Sequence, residues 1–249
     1  MKTPNFYAII IGTEILNGRR VDKHFPFLRD ELLKRGFTLK ASSIIEDDPA
    51  LMESFYRLIK SDPNSVLFSF GGIGATPDDH TRMVAAKVFG DGKLYEHPEA
   101  KRRIIDQFKE AAYPYRINMA MLPKGAKLLD NPVNNVPGFY IENRFFFVPG
   151  FPEMAHPMVR QALDLFFPKN REKFRYSICI DASENDLLDI MQKIPKEIEF
   201  SSLPSMNNGQ YMDVLSIASY DKKMAKEWFD YIIHEVEKRG FSYKVDNCR

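Results

Sequence analysis

A strand, a glycine turn and a helix follow one another between residues 65 and 90, and this unit most constrains the fold. Val66–Phe70 is a short apolar run, which is typical of a buried strand. Three glycines follow within four residues, at Gly71, Gly72 and Gly74, and a helical pattern then extends to Phe89. Open α/β sheets bind ligands where a strand ends against a helix N-terminus, so we expect a site here.

The residues of this turn indicate the kind of ligand. A glycine turn lets the backbone approach a ligand and exposes successive N–H groups, which favours phosphate. Asp78 and Asp79 follow the turn and are suited to holding a metal ion or orienting water. The alternative is a tight turn with two solvated acids, which the glycines alone would favour. The turn is not a Walker loop, and Pro77 stands where a GxGxxG motif needs its third glycine.

The rest of the first 168 residues repeats this alternation of strands and helices. Continuous apolar runs are typical of central strands that are covered on both faces. The predicted elements are a strand at Phe6–Ile11, a helix closed by Gly36, a strand at Thr38–Ile45, a helix from Pro49 with Asp48 as its N-cap, a helix at Pro98–Ala111, a hairpin of Tyr140–Ile141 with Phe145–Val148, and a helix from Glu153 to about Phe167. This order predicts an α/β fold with a largely parallel sheet and helices on both faces.

A polar segment at Pro168–Lys173 breaks the pattern and marks a predicted domain boundary. The first domain is expected at residues 1–168 and a small α+β domain at residues 174–249. The second domain is expected to contain strands at Tyr176–Ile180, Glu197–Ser202 and Tyr211–Ala218, with helices at Glu184–Lys193 and Lys222–Arg239.

Charge and composition exclude several classes of protein. A net charge of +1 argues against nucleic-acid binding driven by bulk charge. No apolar run is long enough to span a membrane, and the N-terminus lacks the regions of a signal peptide. Cys179 and Cys248 are the only cysteines and give neither a metal-ligand spacing nor a disulfide framework. We therefore expect a cytoplasmic protein.

Four motifs, taken in order, resemble those of the CinA-like proteins, which carry the MoaB/Mog molybdopterin-binding fold. The motifs are Gly12-Thr13-Glu14-Ile15-Leu16-Asn17-Gly18, Gly71-Gly72-Ile73-Gly74-Ala75-Thr76-Pro77-Asp78-Asp79-His80-Thr81, Asn131-Pro132 with Val136-Pro137-Gly138-Phe139, and Val148-Pro149-Gly150-Phe151-Pro152-Glu153-Met154. The resemblance covers residues 5–168 and continues more weakly through Ala182–Asp186 and Ser202–Pro204.

The resemblance implies a three-layer αβα domain followed by a KH-like domain. Full-length CinA proteins often add a C-terminal nicotinamide-nucleotide deamidase domain, which is expected to be absent because the chain ends at Arg249. Two activities are associated with the fold. Mog-type proteins bind molybdopterin and can adenylate it. CinA-type domains act as pyrophosphatases on ADP-ribose or FAD and depend on a divalent metal such as Mg²⁺, Mn²⁺, Co²⁺ or Ni²⁺.

Candidate roles follow from these motifs and, for Asp48, from the expected doubly wound sheet. Asp79 and Asp78 are the catalytic candidates, and Asp79, Asp48 and Glu14 are the metal candidates. Asp79 could instead cap the following helix, and Asp48 fits an N-cap better than a metal ligand. The candidates for binding the phosphate or nucleotide are Gly12, Thr13, Gly71, Gly72, Gly74, Thr76, Pro137, Gly138, Gly150, Pro152 and Glu153.

Several positions depart from the family pattern in loops that are expected to meet the ligand. The family usually has proline at Ala75, asparagine at His24 and Gly-Thr at Asn134-Asn135, and often asparagine and glutamine near Tyr115 and Asn118. These differences leave open a changed substrate or a protein that only binds its ligand. His24 is expected to be a surface histidine or one at a helix start, rather than a catalytic base.

The expected partner is a phosphorylated small molecule, either a nucleotide or a pterin. No nucleic-acid partner is expected, because Gly209 and Gly240 are too far apart to form the GxxG loop of an RNA-binding KH domain. No membrane partner is expected either. A homo-oligomer, dimer or trimer, is predicted from the resemblance and from the 20 phenylalanines and 11 tyrosines, which exceed the needs of a modest core.

Overall fold

A computed structural model describes residues 4–168, 172–207 and 209–245 of the chain. The chain divides into two units, Met1–Asn170 and Arg171–Arg249.

The first unit alternates strands and helices over most of its length. Its strands are β1 (Asn5–Ile11), β2 (Leu39–Ile45), β3 (Ser65–Phe70), β4 (Leu94–Glu96), β5 (Met121–Pro123), β6 (Lys127–Leu129), β7 (Gly138–Ile141) and β8 (Phe145–Val148). Its helices are α1 (Thr13–Leu16), α2 (His24–Lys34), α3 (Pro49–Lys60), α4 (Thr81–Phe89), α5 (Pro98–Phe108) and α6 (Pro152–Phe166).

A six-stranded sheet in the order β2-β1-β3-β8-β7-β6 forms the centre of this unit. The first four strands run parallel, and β7 and β6 are antiparallel to their neighbours. Side chains alternate between its faces, so that Leu67 lies in the apolar cluster with Met52 of α3 and Phe68 lies in the cluster with Leu28 of α2. The three-layer α/β fold with a mostly parallel sheet is therefore confirmed.

The local signals of the sequence agree with the structure in most places. Asp48 is the N-cap of α3, since its carboxylate accepts a hydrogen bond of 2.6 Å from the N–H of Leu51. The helix that was predicted at Pro98–Ala111 ends at Phe108, and two 3₁₀ helices follow at Lys109–Ala112 and Arg116–Ala120. The three-residue strands β4, β5 and β6 were not predicted because runs this short carry no periodicity.

The second unit is α+β. Its strands are β9 (Phe174–Ile180), β10 (Glu199–Asn207), β11 (Gln210–Ser219) and β12 (Tyr243–Val245), and its helices are α7 (Glu184–Met191) and α8 (Lys222–Lys238). The strands form an antiparallel sheet in the order β10-β11-β9-β12. Apolar residues of both helices, including Leu187 and Phe229, lie in one core with the sheet. The KH-like description of this unit stays a prediction.

Two findings bear on the expected compartment. None of the helices in the described ranges is long and apolar enough to cross a membrane. Cys179, on β9, is disulfide-bonded, which the count of two cysteines did not lead us to expect. The other cysteine, Cys248, lies outside the described residues.

Candidate functional site

A cleft of about 440 Å³ lies where the parallel strands of the first unit end. Its wall includes the residues at or just beyond the carboxyl ends of β1, β2, β3 and β8, namely Ile11, Asp47, Gly71 and Pro149. The glycine turn at residues 71–76 forms a further part of this wall. The cleft is thus at the place where open α/β sheets bind ligands.

The glycine turn contains a run of backbone N–H groups that have no acceptor among the described residues. Gly71 and Gly72 have φ angles of 100° and 66°, a left-handed conformation that glycine adopts without strain. The N–H of Gly71 donates to the carbonyl of Val148 at 2.9 Å, so Gly71 does not fit the predicted role of a phosphate donor. The N–H groups of residues 72–75 donate to no acceptor within the described ranges. Unpaired N–H groups at buried or half-buried positions are rare, and successive ones form a concavity for an anion.

The carbonyl groups of the same turn are paired with the start of α4. The Thr81 hydroxyl donates to the carbonyl of Gly71 at 2.9 Å, and the Thr81 N–H donates to that of Gly72 at 3.0 Å. The buried Arg82 guanidinium donates from Nη1 to the carbonyls of Ile73 and Gly74. Burial lowers the pKa of Arg82, which Asp79 partly offsets. These hydrogen bonds hold the carbonyl groups of the turn in place, and the guanidinium of Arg82 puts a positive charge beside the turn.

Asp79 and Asp78 both line the cleft. Asp79 Oδ2 accepts hydrogen bonds from the N–H and the hydroxyl of Thr76, at 2.8 Å and 2.5 Å. The alternative that Asp79 caps α4 is wrong, because the N-cap is His80 and no side chain caps that helix. A Cβ at Gly74 would lie 2.5 Å from Asp79 Oδ2, so Asp79 packs tightly against the turn.

The acid that follows β2 and lies in the cleft wall is Asp47 rather than the predicted Asp48. Asp47 Oδ2 accepts hydrogen bonds from the N–H and the hydroxyl of Thr13, at 2.9 Å and 3.0 Å, and Asp47 lines the cleft. Asp48 is used as a helix cap and is absent from the cleft wall. The N–H of Gly12 donates to the carbonyl of Ile45. The amides of Gly12 and Thr13 are therefore already paired, which does not fit their predicted role in phosphate binding.

Glu14 lies in the cleft wall, where it forms an ion pair with Arg20. The distance from Arg20 Nη1 to Glu14 Oε1 is 3.5 Å, and both side chains are largely exposed. The Arg20 guanidinium also lies 5.6 Å from the ring centroid of Phe151, which lines the cleft too. Arg20 brings a positive charge to the cleft wall.

The last group of predicted residues is divided between the cleft and other surroundings. Gly150 lines the cleft, whereas Pro152 and Glu153 line a second, adjoining cleft. Gly138 is buried in β7, where a Cβ would lie 2.8 Å from Met158 Sδ and 2.9 Å from the Phe147 carbonyl. Gly138 is thus a packing glycine, and neither it nor Pro137 lies in the wall of the cleft.

The positions that depart from the family pattern have different surroundings. Ala75 and Asn134 line the cleft, and the Asn134 amide oxygen accepts hydrogen bonds from Asn131 and Val136. Asn135, Tyr115 and Asn118 are not among the cleft residues. His24 is the first residue of α2, as expected, but it is 3% exposed and not at the surface.

Sequence reasoning missed the polar residues Asp47 and Arg20 and the apolar wall of the cleft. The apolar residues of the wall include Phe108, Met119, Val136 and Met154. Asp47 had a signal in the sequence, since it follows β2 and its neighbour Asp48 was already assigned as a cap. Arg20 had no such signal in the sequence, because its position in the cleft wall depends on the conformation of the loop that follows α1.

Comparisons with known proteins agree with this fold. Residues 7–168 match the family described as "Probable molybdopterin binding domain". A CinA-like protein of Acaryochloris marina is 31% identical over 158 residues, which cover 61% of this chain and 37% of that protein. The chain therefore spans well under two thirds of the length of this relative. A protein of Pyrococcus horikoshii is 26% identical over 255 residues, which cover 95% of this chain and 96% of its own.

A solved structure supports the same relationship. The protein CinA from Thermoplasma acidophilum, whose function is unknown, has a TM-score of 0.58 and 26% identity. The match covers 65% of this chain and 97% of that one. The family match extends over more than half of the chain and includes every strand of the central sheet except the first two residues of β1. The chain thus belongs to the molybdopterin-binding-domain family with the MoaB/Mog fold, and it is a CinA-like member.

Proposed function

We propose that the protein binds a dinucleotide such as ADP-ribose or FAD in the cleft and hydrolyses its pyrophosphate with the aid of a divalent metal ion. The observation that supports this most is that the N–H groups of residues 72–75 have no acceptor in the described part of the chain, in a wall that also carries carboxylates. Amide donors suit phosphate oxygens, and carboxylates suit a metal ion or a water molecule.

The size and lining of the cleft support a ligand that joins a phosphate to a planar ring. A volume of about 440 Å³ lies in the range of small-molecule sites. Phe108, Met119, Val136 and Met154 give the cleft an apolar wall against which a ring can pack. Arg20 supplies a cation for phosphate.

The carboxylates fit a metal ion that arrives with the substrate. Within the described ranges, no group of three or more His, Cys, Asp or Glu side chains is placed to hold a metal by itself. Magnesium usually binds through one or two carboxylates together with substrate phosphates and water. Asp79, Glu14 and Asp47 all lie in the cleft wall and fit such a role, whereas Asp48 does not.

The chain's own groups would then have distinct tasks. A bound metal ion would neutralise the negative charge of the phosphates and lower the pKa of the water molecule that it binds. The N–H groups of residues 72–75 hold the phosphate oxygens, and Arg20 stabilises the charge that develops on the leaving phosphate. Asp79 has one carboxylate oxygen, Oδ1, without a hydrogen bond from the described residues, and this oxygen can orient the attacking water.

A turnover screen tests this function. The protein is incubated with ADP-ribose or FAD and with Mg²⁺, Mn²⁺, Co²⁺ or Ni²⁺, and the products are separated by chromatography. We expect AMP to be released from at least one substrate with at least one metal. The absence of AMP in every combination would contradict the proposal for these substrates.

The second candidate function is binding of molybdopterin or a related phosphorylated pterin without hydrolysis. The family to which the chain belongs favours it, as do the departures from the family pattern at Ala75 and Asn134 in the cleft wall. Calorimetric titration with the pterin separates the two functions. Tight pterin binding together with no release of AMP would favour this candidate, and no pterin binding would contradict it.

The homo-oligomer, the lack of a nucleic-acid partner and the cytoplasmic location remain predictions. Light scattering at micromolar concentration tests the first of these. A dimer or trimer is expected, and a monomer alone would contradict the prediction.

A further inference from the structure

The buried ring of His24 links the glycine turn to the turn at residues 149–151, between β8 and α6. The ring stacks on Phe70, the last residue of β3, with ring centroids 4.4 Å apart. Its Nε2 lies 3.3 Å from the carbonyl oxygen of Gly150. The two turns also meet directly, since a Cβ on Gly150 would lie 3.5 Å from the Cα of Gly71, and both glycines line the cleft. His24 is therefore placed to fix the position of one turn against the other.

The hydrogen bonds of this ring determine which protonation state fits. A carbonyl oxygen can only accept, so Nε2 carries the proton of the neutral ring and Nδ1 is left as an acceptor. Nδ1 is buried and has no hydrogen-bond partner among the described residues. A proton added at Nδ1 would create a buried N–H donor without an acceptor, which is costly. The neutral ring of His24 therefore fits this position, and the charged ring does not.

The charges around His24 do not remove this cost. Burial is the largest influence and lowers the pKa of His24, although the Gly150 carbonyl opposes that effect. His156 of α6 lies edge-on to His24, with ring centroids 5.4 Å apart, and a charge on one ring disfavours a charge on the other. The other charged groups that face the two rings are the acids Asp22 and Glu153 and the bases Arg20 and Arg160. The acids favour a charged ring and the bases disfavour one, so burial decides the outcome.

We infer that neutral His24 is a positioning residue for the cleft and makes ligand binding there sensitive to acid. The neutral ring holds the two turns together, whereas a charged ring has to leave its place between Phe70 and Gly150. His24 does not itself line the cleft, so it acts through Gly71 and Gly150, which do. This inference rests on the proposed function and adds to it a regulation of the same site by pH.

The acid sensitivity is expected of this chain in particular, because His24 stands where the family usually has asparagine. An asparagine side chain can donate to the Gly150 carbonyl from its amide nitrogen, but it does not titrate. His24→Asn is therefore the matched variant, since it keeps the hydrogen bond and removes the proton exchange. His156→Phe is the control for the neighbouring imidazole, because the pKa of His156 is lowered to about 4.

Nuclear magnetic resonance of the protein without ligand tests the link between His24 and the glycine turn. Nitrogen-15 spectra of the histidine rings give the pKa of His24, and amide spectra follow residues 72–75 over the same pH series. We expect these amide resonances to shift with the pKa of His24 in the wild type and in His156→Phe, and to lose that shift in His24→Asn. Turn amides that do not respond to the titration of His24 would overturn the inference. A His24 that stays neutral until the protein unfolds would overturn it too.

The affinity for ADP-ribose tests the consequence for binding. Calorimetry with Mg²⁺ gives the affinity at each pH, and KM takes its place if the metal supports turnover. We expect the affinity to fall about tenfold when His24 gains a proton, because one unpaired buried donor shifts an equilibrium by about that factor. His156→Phe should keep this fall, and His24→Asn should bind about equally over the series.

The two measurements separate this inference from the proposed function. An acid-induced loss of affinity that persists in His24→Asn, or that disappears only in His156→Phe, would overturn the role of His24 and leave the proposed function standing. The absence of ADP-ribose binding at every pH would contradict the proposed function for this substrate, and the amide spectra would still decide whether His24 positions the turn.

Discussion

The substitution Asp79→Asn separates the charge of Asp79 from its role in the glycine turn. Both hydrogen bonds from Thr76 go to one oxygen, Oδ2, at 2.8 Å and 2.5 Å. An asparagine can place its amide oxygen at this position and accept both bonds. Only the negative charge and the second oxygen are then lost.

The expected magnitudes differ strongly between stability and turnover. A hydrogen bond to a charged group contributes roughly 1 kcal/mol more than a neutral one, so the free energy of unfolding should fall by about 1 kcal/mol. A group that positions water or metal beside a developing charge contributes about 10²–10³-fold, so turnover of ADP-ribose should fall by that factor. A purely structural Asp79 would change stability by a similar amount and leave turnover close to normal.

Both quantities are measured on one preparation, by urea unfolding and by metal-dependent release of AMP. Asp106→Asn is the control, because Asp106 is an exposed acid of α5 that does not line the cleft. Full turnover in Asp79→Asn would refute the catalytic role and direct attention to Asp78, Glu14 and Asp47. A loss of several kcal/mol in stability would refute the claim that asparagine preserves the turn.

Three further predictions concern the turn, the neighbouring acids and the half-buried His156. Gly74→Ala should weaken ligand binding in calorimetry and lower the free energy of unfolding by about 1–3 kcal/mol, because its Cβ would displace the Asp79 carboxylate from its hydrogen bonds with Thr76. Asp48→Ala should lower the free energy of unfolding by about 1 kcal/mol and leave ligand affinity unchanged, whereas Asp47→Ala should weaken binding. Burial lowers the pKa of His156 to about 4 in the folded protein. Between pH 6.5 and pH 4 the unfolded chain therefore binds more protons at this side chain than the folded protein does, and the free energy of unfolding falls as the pH drops. His156→Phe should reduce that fall in urea titrations, and an unchanged pH profile would contradict the assignment.

Features that depend on short stretches of sequence could be predicted. The strand at Ser65–Phe70, the cap at Asp48 and the hairpin of β7 and β8 depend on apolar runs, capping chemistry and turn residues that lie close together in the chain. The order of these elements was then enough to indicate a mostly parallel sheet with a site at its carboxyl edge.

Features that depend on pairing between distant segments could not be predicted. The Gly71 amide is occupied because β8 lies beside β3, although 77 residues separate Gly71 from Val148. The acid in the cleft wall is Asp47, because the side chain of Asp48 caps α3. The periodicity of the sequence cannot distinguish between two adjacent residues. His24 is buried because Phe70 and Gly150 meet it from two other parts of the chain.

The start of α4 explains why one stretch of sequence determines both the fold and the site. Thr81 and Arg82 pair with four consecutive carbonyl groups of the turn, from Gly71 to Gly74. The carbonyls of the turn are paired and its first two residues are left-handed, so the turn holds the N–H groups of residues 72–75 in a conformation in which no described residue accepts from them. An anion that binds there has no backbone to reorder, so little conformational entropy opposes its binding. The helix that packs on the sheet through Val84 and Val88 therefore also preorganises the donors of the cleft.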